Sequence, residues 1–270
     1  MSKTIVITGS STGLGRAAAL LFAEKGWNVI ATMRDPAKET ELGRTPGISV
    51  MALDVTDPAQ IAAAAKAILA KGPVDVLFNN AGYGLAGPFE GTSDEQLRRQ
   101  LDTNLLGVMR VTQAFLPAMR ERGQGQIVTT TSIGGLVTFP FNSVYHATKW
   151  ALEGWSESLA FELEPFGIKV KTVAPGGIAT DFAGRSIVRT EHPAYAEATA
   201  KVTAAFMDPA RRAHGSTAEQ IAAEVYEAVA DESGRVTHVA GNDARANYAR
   251  RLEVGVESFR AGVRQMFLGA

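Results

Sequence analysis

The chain has 270 residues, 46% of them hydrophobic and 20% charged, with a formal net charge of −1. Such a length suits a single α/β domain with a large buried core, and the near-neutral balance offers no basic surface for nucleic acid or anionic lipid. There is no cysteine, which excludes disulfides, thiolate catalysis and cysteine metal sites.

The four histidines, His146, His192, His214 and His238, are scattered without ligand spacing, so no metal is expected. The first strand begins at residue 3, which leaves no room for a signal peptide, and no apolar run approaches the ~20 residues of a membrane span. Cytoplasm is the expected compartment, with neither nucleic acid nor membrane as a partner.

Residues 3–7 read as a strand and residues 16–24 as a helix, joined by Thr8-Gly9-Ser10-Ser11-Thr12-Gly13-Leu14-Gly15. Strand, glycine turn and helix form the context in which a dinucleotide binds. The glycines permit a tight turn and close backbone approach, and the helix N-terminus receives the pyrophosphate. A second strand, 27–33, closes on Met33, Arg34 and Asp35. A third, 48–54, runs into Asp54-Val55, and a fourth, 74–78, into Asn79-Asn80-Ala81-Gly82.

Thr92-x-x-Glu95 reads as a capping box, and Asn104 lies in a helix-like run ending near Arg122. Strand 126–131 closes on Ser132. Tyr145-His146-Ala147-Thr148-Lys149 then places a phenol and an ammonium four residues apart, on one face of a helix. A phenol near pKa ~10 is a poor base at neutral pH, and a nearby ammonium is expected to move it down into a usable range. Carbonyl reduction or alcohol oxidation needs such a proton donor and acceptor. His146, one residue along, points elsewhere on the helix and is expected to pack or to lie at the surface.

Strand 168–174 leads to Pro175-Gly176, with Ile178 and Thr180 following. Residues 181–216 are too long for an ordinary connection and read as an insertion over a binding site. Within it, 193–207 suits one helix, with Tyr195, Val202, Phe206 and Met207 partly on one face. Thr217-x-x-Gln220 reads as a second capping box, and 235–240 as the last strand. The strands are apolar throughout and alternate with helices. Both features point to a doubly wound, Rossmann-type, mostly parallel seven-stranded sheet with helices on both faces. Gly9, Asn80, Ser132 and Pro175 all fall at carboxyl ends of strands, where open parallel sheets bind ligands, so a single site is expected.

With these motifs in order, the chain resembles the short-chain dehydrogenase/reductase superfamily, in its compact TGxxxGxG and YxxxK branch, over about residues 3 to 180. The run 144–163 resembles steroid- or retinol-type dehydrogenases within it. The resemblance implies catalytic roles for Asn104, Ser132, Tyr145 and Lys149: Tyr145 as general acid/base, Lys149 on the nicotinamide ribose, Asn104 in a proton relay. Ser132 would position the substrate oxygen. It implies cofactor contacts from Gly9, Ser11, Thr12, Gly13, Leu14 and Gly15, from Asp54 and Val55, and from Asn80, Ala81 and Gly82. Tyr145, Lys149, Pro175, Gly176, Ile178 and Thr180 complete that set.

Members preferring NAD carry an acid where this chain has Met33, whereas Arg34 next to it suits a 2′-phosphate. NADP(H) is therefore the expected cofactor. Thr12 is not the basic residue many NADPH members carry, and Asp35 adjoins Arg34, so an NAD-preferring alcohol dehydrogenase is the rival reading. A non-catalytic dinucleotide sensor is another. Leu136, Val137, Phe139, Phe141, Phe182 and the 193–207 segment offer apolar walls, pointing to a neutral, largely apolar carbonyl or alcohol substrate. Helices around 97–119 and 144–163 pair across a two-fold axis in the resembling family, so a homodimer or homotetramer is expected.

Overall fold

The computed structural model describes residues 2–178 and 186–269, without the side chains of 211 and 212. Its strands are β1 (Thr4–Thr8), β2 (Asn28–Met33), β3 (Ile48–Ala52), β4 (Val76–Asn79), β5 (Gly84–Ala86), β6 (Gly125–Thr130), β7 (Ile168–Pro175), β8 (Ile187–Arg189) and β9 (Thr237–Ala240). Its helices are α1 (Gly13–Glu24), α2 (Pro58–Leu69), α3 (Asp94–Leu101), α4 (Gly107–Arg122), α5 (Ser143–Leu163), α6 (Ala196–Met207), α7 (Pro209–Arg212), α8 (Ala218–Ala230) and α9 (Asn242–Leu268). Seven strands form one parallel sheet in the order β3-β2-β1-β4-β6-β7-β9. The expected doubly wound architecture is what the chain adopts.

Side chains alternate across a strand, so apolar residues at every position require cover on both faces. Ile5, Ile7, Val29, Ala31 and Phe78 pack to one side against Phe22 of α1 and Ile221 and Val225 of α8. Val6, Ile30, Leu77, Ile127 and Val170 pack to the other, against Ile61 and Ile68 of α2, Val111 and Phe115 of α4, and Leu159 of α5. Each such side chain contributes about 1.5–3 kcal/mol when fully buried. A third apolar cluster joins Ile133 and Val137 to Val202 of α6 and to Phe259, Val263 and Phe267 of α9.

One local reading changes, and two details are added. The first capping box is Ser93 with Gln96, while Thr92 closes the preceding turn at Phe89–Gly91. Thr217 with Gln220 forms as expected. The run holding Asn104 is helical to Arg122 as expected, with a π turn at Asp102–Leu106 between α3 and α4. β5 and β8 add a second, two-stranded parallel sheet from segments too short to show a period.

Candidate active site

Four strand ends carry the site, as open parallel sheets lead one to expect. After β1 the chain turns at Gly9 (φ +68), and the first turn of α1 returns so close that a methyl at Gly15 would lie 2.3 Å from the Gly9 carbonyl oxygen and 2.5 Å from Nδ2 of Asn80. Only a glycine fits there. Asn80, after β4, braces that turn. Its Nδ2 donates to the carbonyls of Thr8 (3.1 Å) and Gly9 (3.2 Å), and Thr130 of β6 donates to its Oδ1 at 3.2 Å. The Thr8 hydroxyl accepts from the backbone N–H groups of Asn80 (2.9 Å) and Ala81 (3.0 Å). Thr12 starts α1 without a side-chain cap. Ser11, Thr12, Gly13 and Leu14 thus lie where uncapped N–H groups meet a closely approached backbone, and this suits a pyrophosphate.

Ser132 follows β6, and its Oγ accepts from the Gly134 N–H at 3.0 Å while hydrogen-bonding Tyr145 of α5. Lys149, one turn along, is 6% exposed; its Nζ lies 5.8 Å from the Tyr145 ring centroid and donates to the Thr130 carbonyl at 2.8 Å. Asn104, in the π turn, is buried with its amide fastened to residue 83: Oδ1 accepts from the Tyr83 N–H at 3.0 Å and Nδ2 donates to its carbonyl at 2.8 Å. Gly82 lies between these groups, since a methyl on it would meet Asn104 Oδ1 at 3.2 Å and Lys149 Nζ at 3.9 Å. The fold therefore brings Asn104, Ser132, Tyr145 and Lys149 together.

The electrostatics correct one expectation. Burial pushes the Tyr145 phenol above its ordinary value, and it is the Ser132 hydrogen bond, not Lys149, that pulls against it. The Lys149 ammonium is engaged with Thr130, and burial lowers its own pKa to about 8, opposed by the charge of Glu153. His146 is lowered to about 4 by burial and packs near the Phe139 ring, so it is a neutral packing residue as expected.

After β7, the segment from Pro175 is pinned from far along the chain. The Gly177 N–H donates to Oδ2 of Asp243, in the first turn of α9, at 2.7 Å. A methyl on Gly176 would collide with that carboxylate at 2.2 Å. Ile178 bridges Ser216, while Thr180 and Phe182 lie outside the described residues. Asp54 accepts from the Thr56 N–H (2.9 Å), and Val55 is buried against the other wall.

At the end of β2, Met33 is buried and Arg34 is exposed, outside every ion pair among the described residues. Asp35 is paired with Lys38 at 2.9 Å. Arg16 of α1, which sequence reading passed over, bonds Glu39 at 2.8 Å and also Glu41, closing the same corner.

A cavity of about 490 Å³ lies along the His146 face of α5, lined by Phe139, Phe141, His146 and Trp150 among others and not by Tyr145. Phe139 and Phe141 line that cavity rather than the Tyr145 face, and Val137 is fully buried core. Phe141 takes φ +58, a conformation costly outside glycine, with its carbonyl held by the Gly87 N–H at 2.8 Å. The 193–207 segment divides. Tyr195 turns its hydroxyl to Glu90 (2.9 Å) and its ring to Phe141, Phe206 packs on Phe267, and Met207 is exposed. Among the described residues no three His, Asp or Glu side chains could hold a metal ion, and no helix is long and apolar enough to cross a membrane.

Comparison with known proteins agrees with this geometry. Residues 3–190 match the family model for short chain dehydrogenase. Retinol dehydrogenase 8 of Homo sapiens is 41% identical over 69% of this chain and 62% of its own length, so less than two thirds of that relative is spanned. Human 17-beta-hydroxysteroid dehydrogenase type 1 is 41% identical over 67% of this chain and 59% of its own. Among solved structures, a short-chain dehydrogenase from Streptomyces avermitilis superposes with a TM-score of 0.85 at 36% identity, covering 98% of this chain and 96% of that one. ElxO with NADP bound gives 0.74 at 30% identity, covering 89% and 96%.

Proposed function

The chain belongs to the short-chain dehydrogenase family, and from that premise we propose that it is an NADP(H)-dependent oxidoreductase acting on a neutral, largely apolar carbonyl or secondary alcohol. The observation that carries this reading is the convergence of Ser132, Tyr145, Lys149 and Asn104 beside the glycine turn. A proton-transfer constellation of this kind has no use in a mere dinucleotide sensor.

The close approach of Gly9 and Gly15 and the uncapped α1 suit a dinucleotide, which supplies the hydride when bound. Ser132 Oγ directs the substrate oxygen toward Tyr145, which gives it the proton in reduction and takes it back in oxidation. Lys149 holds the nicotinamide ribose and stabilises the phenolate left on Tyr145, as Asn104 organises the path along which that proton is replaced. Arg34 receives the 2′-phosphate; Asp35 alongside it favours NAD(H) as the second reading. NADP in the bound structure of ElxO lends support to the first.

The whole chain works as one domain in the cytoplasm, with the described part of the insertion, residues 186–216, over the substrate. The apolar side chains that follow Ser132 in the chain, Leu136, Phe139 and Phe141, are what favour an apolar substrate. The test is a panel of carbonyls and alcohols, run with NADPH/NADP and NADH/NAD and followed at the nicotinamide absorbance. Turnover of hydrophobic ketones or secondary alcohols supports the reading, and inertness with every pair refutes it.

Assembly follows from the outer surface of the same helices. Trp150 and Phe161 on α5 and Leu106 before α4 are exposed, and the surface around Gly154 is open. Apolar surface of this kind suits a two-fold contact. Light scattering at micromolar concentration is expected to give a dimer or tetramer mass; a monomer mass refutes this contact.

A further inference from the structure

Behind the lysine lies a carboxylate that the catalytic scheme does not use. Glu153 is four residues beyond Lys149 on α5 and therefore on the same face, yet it is only 8% exposed. Its Oε2 accepts from the hydroxyls of Thr172 on β7 (2.9 Å) and Thr237 on β9 (3.2 Å), two residues that are register partners. Its Oε1 is buried with no hydrogen-bond partner. The turn after Ser132 presses on both residues at once: a methyl on Gly135 would lie 2.8 Å from the Lys149 carbonyl oxygen and 3.2 Å from Glu153 Cγ. Burying a carboxylate is costly, and an apolar side chain of like size commonly serves stability as well or better. A half-satisfied buried acid one turn from an essential cation therefore asks for a function.

We propose that Glu153 is a positioning residue that keeps Lys149 charged and aimed at the dinucleotide, acting through space from one helical turn away rather than by direct contact. This rests on the reading of Lys149 as the ribose-holding residue. Few other charges can do the work. From its own helix Lys149 faces Tyr145 and Glu153, from β6 the Thr130 carbonyl, and from the π turn Asn104. Lys171 and His238, next to the two threonines in sequence, engage Asp231 instead. On α3, Arg98 is paired with Asp94 and Arg99 lies over the Tyr83 ring.

Burial holds Lys149 near a pKa of about 8, and the charge of Glu153 pulls it upward; burial in turn raises Glu153, while its hydroxyl donors and Lys149 oppose that rise. Without the carboxylate, the lysine would lose its proton at lower pH.

The test is the dissociation constant of NADPH and NADH, followed by fluorescence across neutral and alkaline pH, for wild type and Glu153→Gln. Wild type is expected to weaken as pH rises through about 8. In Glu153→Gln the midpoint should fall by about half a pH unit or more, with several-fold weaker binding near neutrality. A variant that melts at lower temperature but keeps the wild-type midpoint has lost only packing, and the proposal is overturned. If Glu153→Gln does not fold, Thr172→Val decides: it removes one donor to the carboxylate, and the midpoint should move the same way by less. An unmoved midpoint there also overturns it. A wild type that binds neither dinucleotide overturns the proposed function and this inference together, whereas bound cofactor with an unmoved midpoint sinks the role of Glu153 alone.

Discussion

Tyr145→Phe is expected to lower turnover by at least ~10²-fold, the ordinary contribution of a positioned general acid, while cofactor affinity stays near that of wild type. The ring of Tyr145 remains on α5 in the variant, and Lys149 keeps its bond to Thr130, so the dinucleotide contacts are preserved. What is lost is the one hydroxyl that Ser132 bonds and that can exchange a proton with the substrate oxygen. Single-turnover hydride transfer and cofactor titration on the same preparation separate the two effects. Near-wild-type turnover would end the mechanism. Burial raises the phenol in the bare protein, and a bound dinucleotide is expected to lower it; the pH dependence of single-turnover hydride transfer checks this.

Arg34→Ala should weaken NADPH roughly 10- to 100-fold, because a charge-assisted hydrogen bond contributes about 1.5–3 kcal/mol. NADH should barely change, having no phosphate at that place. Arg34 is suited to the role because it is exposed and unpaired among the described residues, whereas Arg16 is tied to Glu39 and Glu41. Adding Met33→Asp would strengthen the switch by repelling phosphate, but Met33 is buried in the core, so a carboxylate there also carries a burial penalty. The single change is the cleaner comparison. A wild type that already prefers NADH, or an unmoved ratio of dissociation constants, removes Arg34 from the cofactor site and leaves the family membership untouched.

The sheet was legible in the chain because its strands are apolar on both faces; Ile5-Val6-Ile7 can be nothing else when both sides are covered. The convergence of Ser132, Tyr145 and Lys149 was legible too, since one strand-end position and one helical turn suffice to place them. Features set by tertiary contact were not. The direction of the Tyr145 shift depends on how much water the fold removes, which spacing does not report. Asp243 meets Gly177 across 66 residues of chain, with no local signal at either end. Ser93 rather than Thr92 caps α3 because two neighbouring hydroxyl residues are each followed at the right distance by Glu or Gln, and only the backbone of the preceding turn chooses between them. Glu153 did carry a signal, an acid four residues after Lys149, and it went unread because acids on helices are usually solvated.

The contact between Asp243 and Gly177 has a consequence for how such a protein can diversify. Every group proposed to move a proton lies within the first 150 residues, yet the segment after β7 is fastened by a residue beyond position 240, outside the stretch 3–190 that matches the family model. The proposed chemistry and the shape of its surroundings thus depend on different ends of the chain. The late segment is free to drift toward new substrates so long as it keeps that one peg, and a shortened chain could retain all its catalytic side chains and still lose the shape of the place where they act.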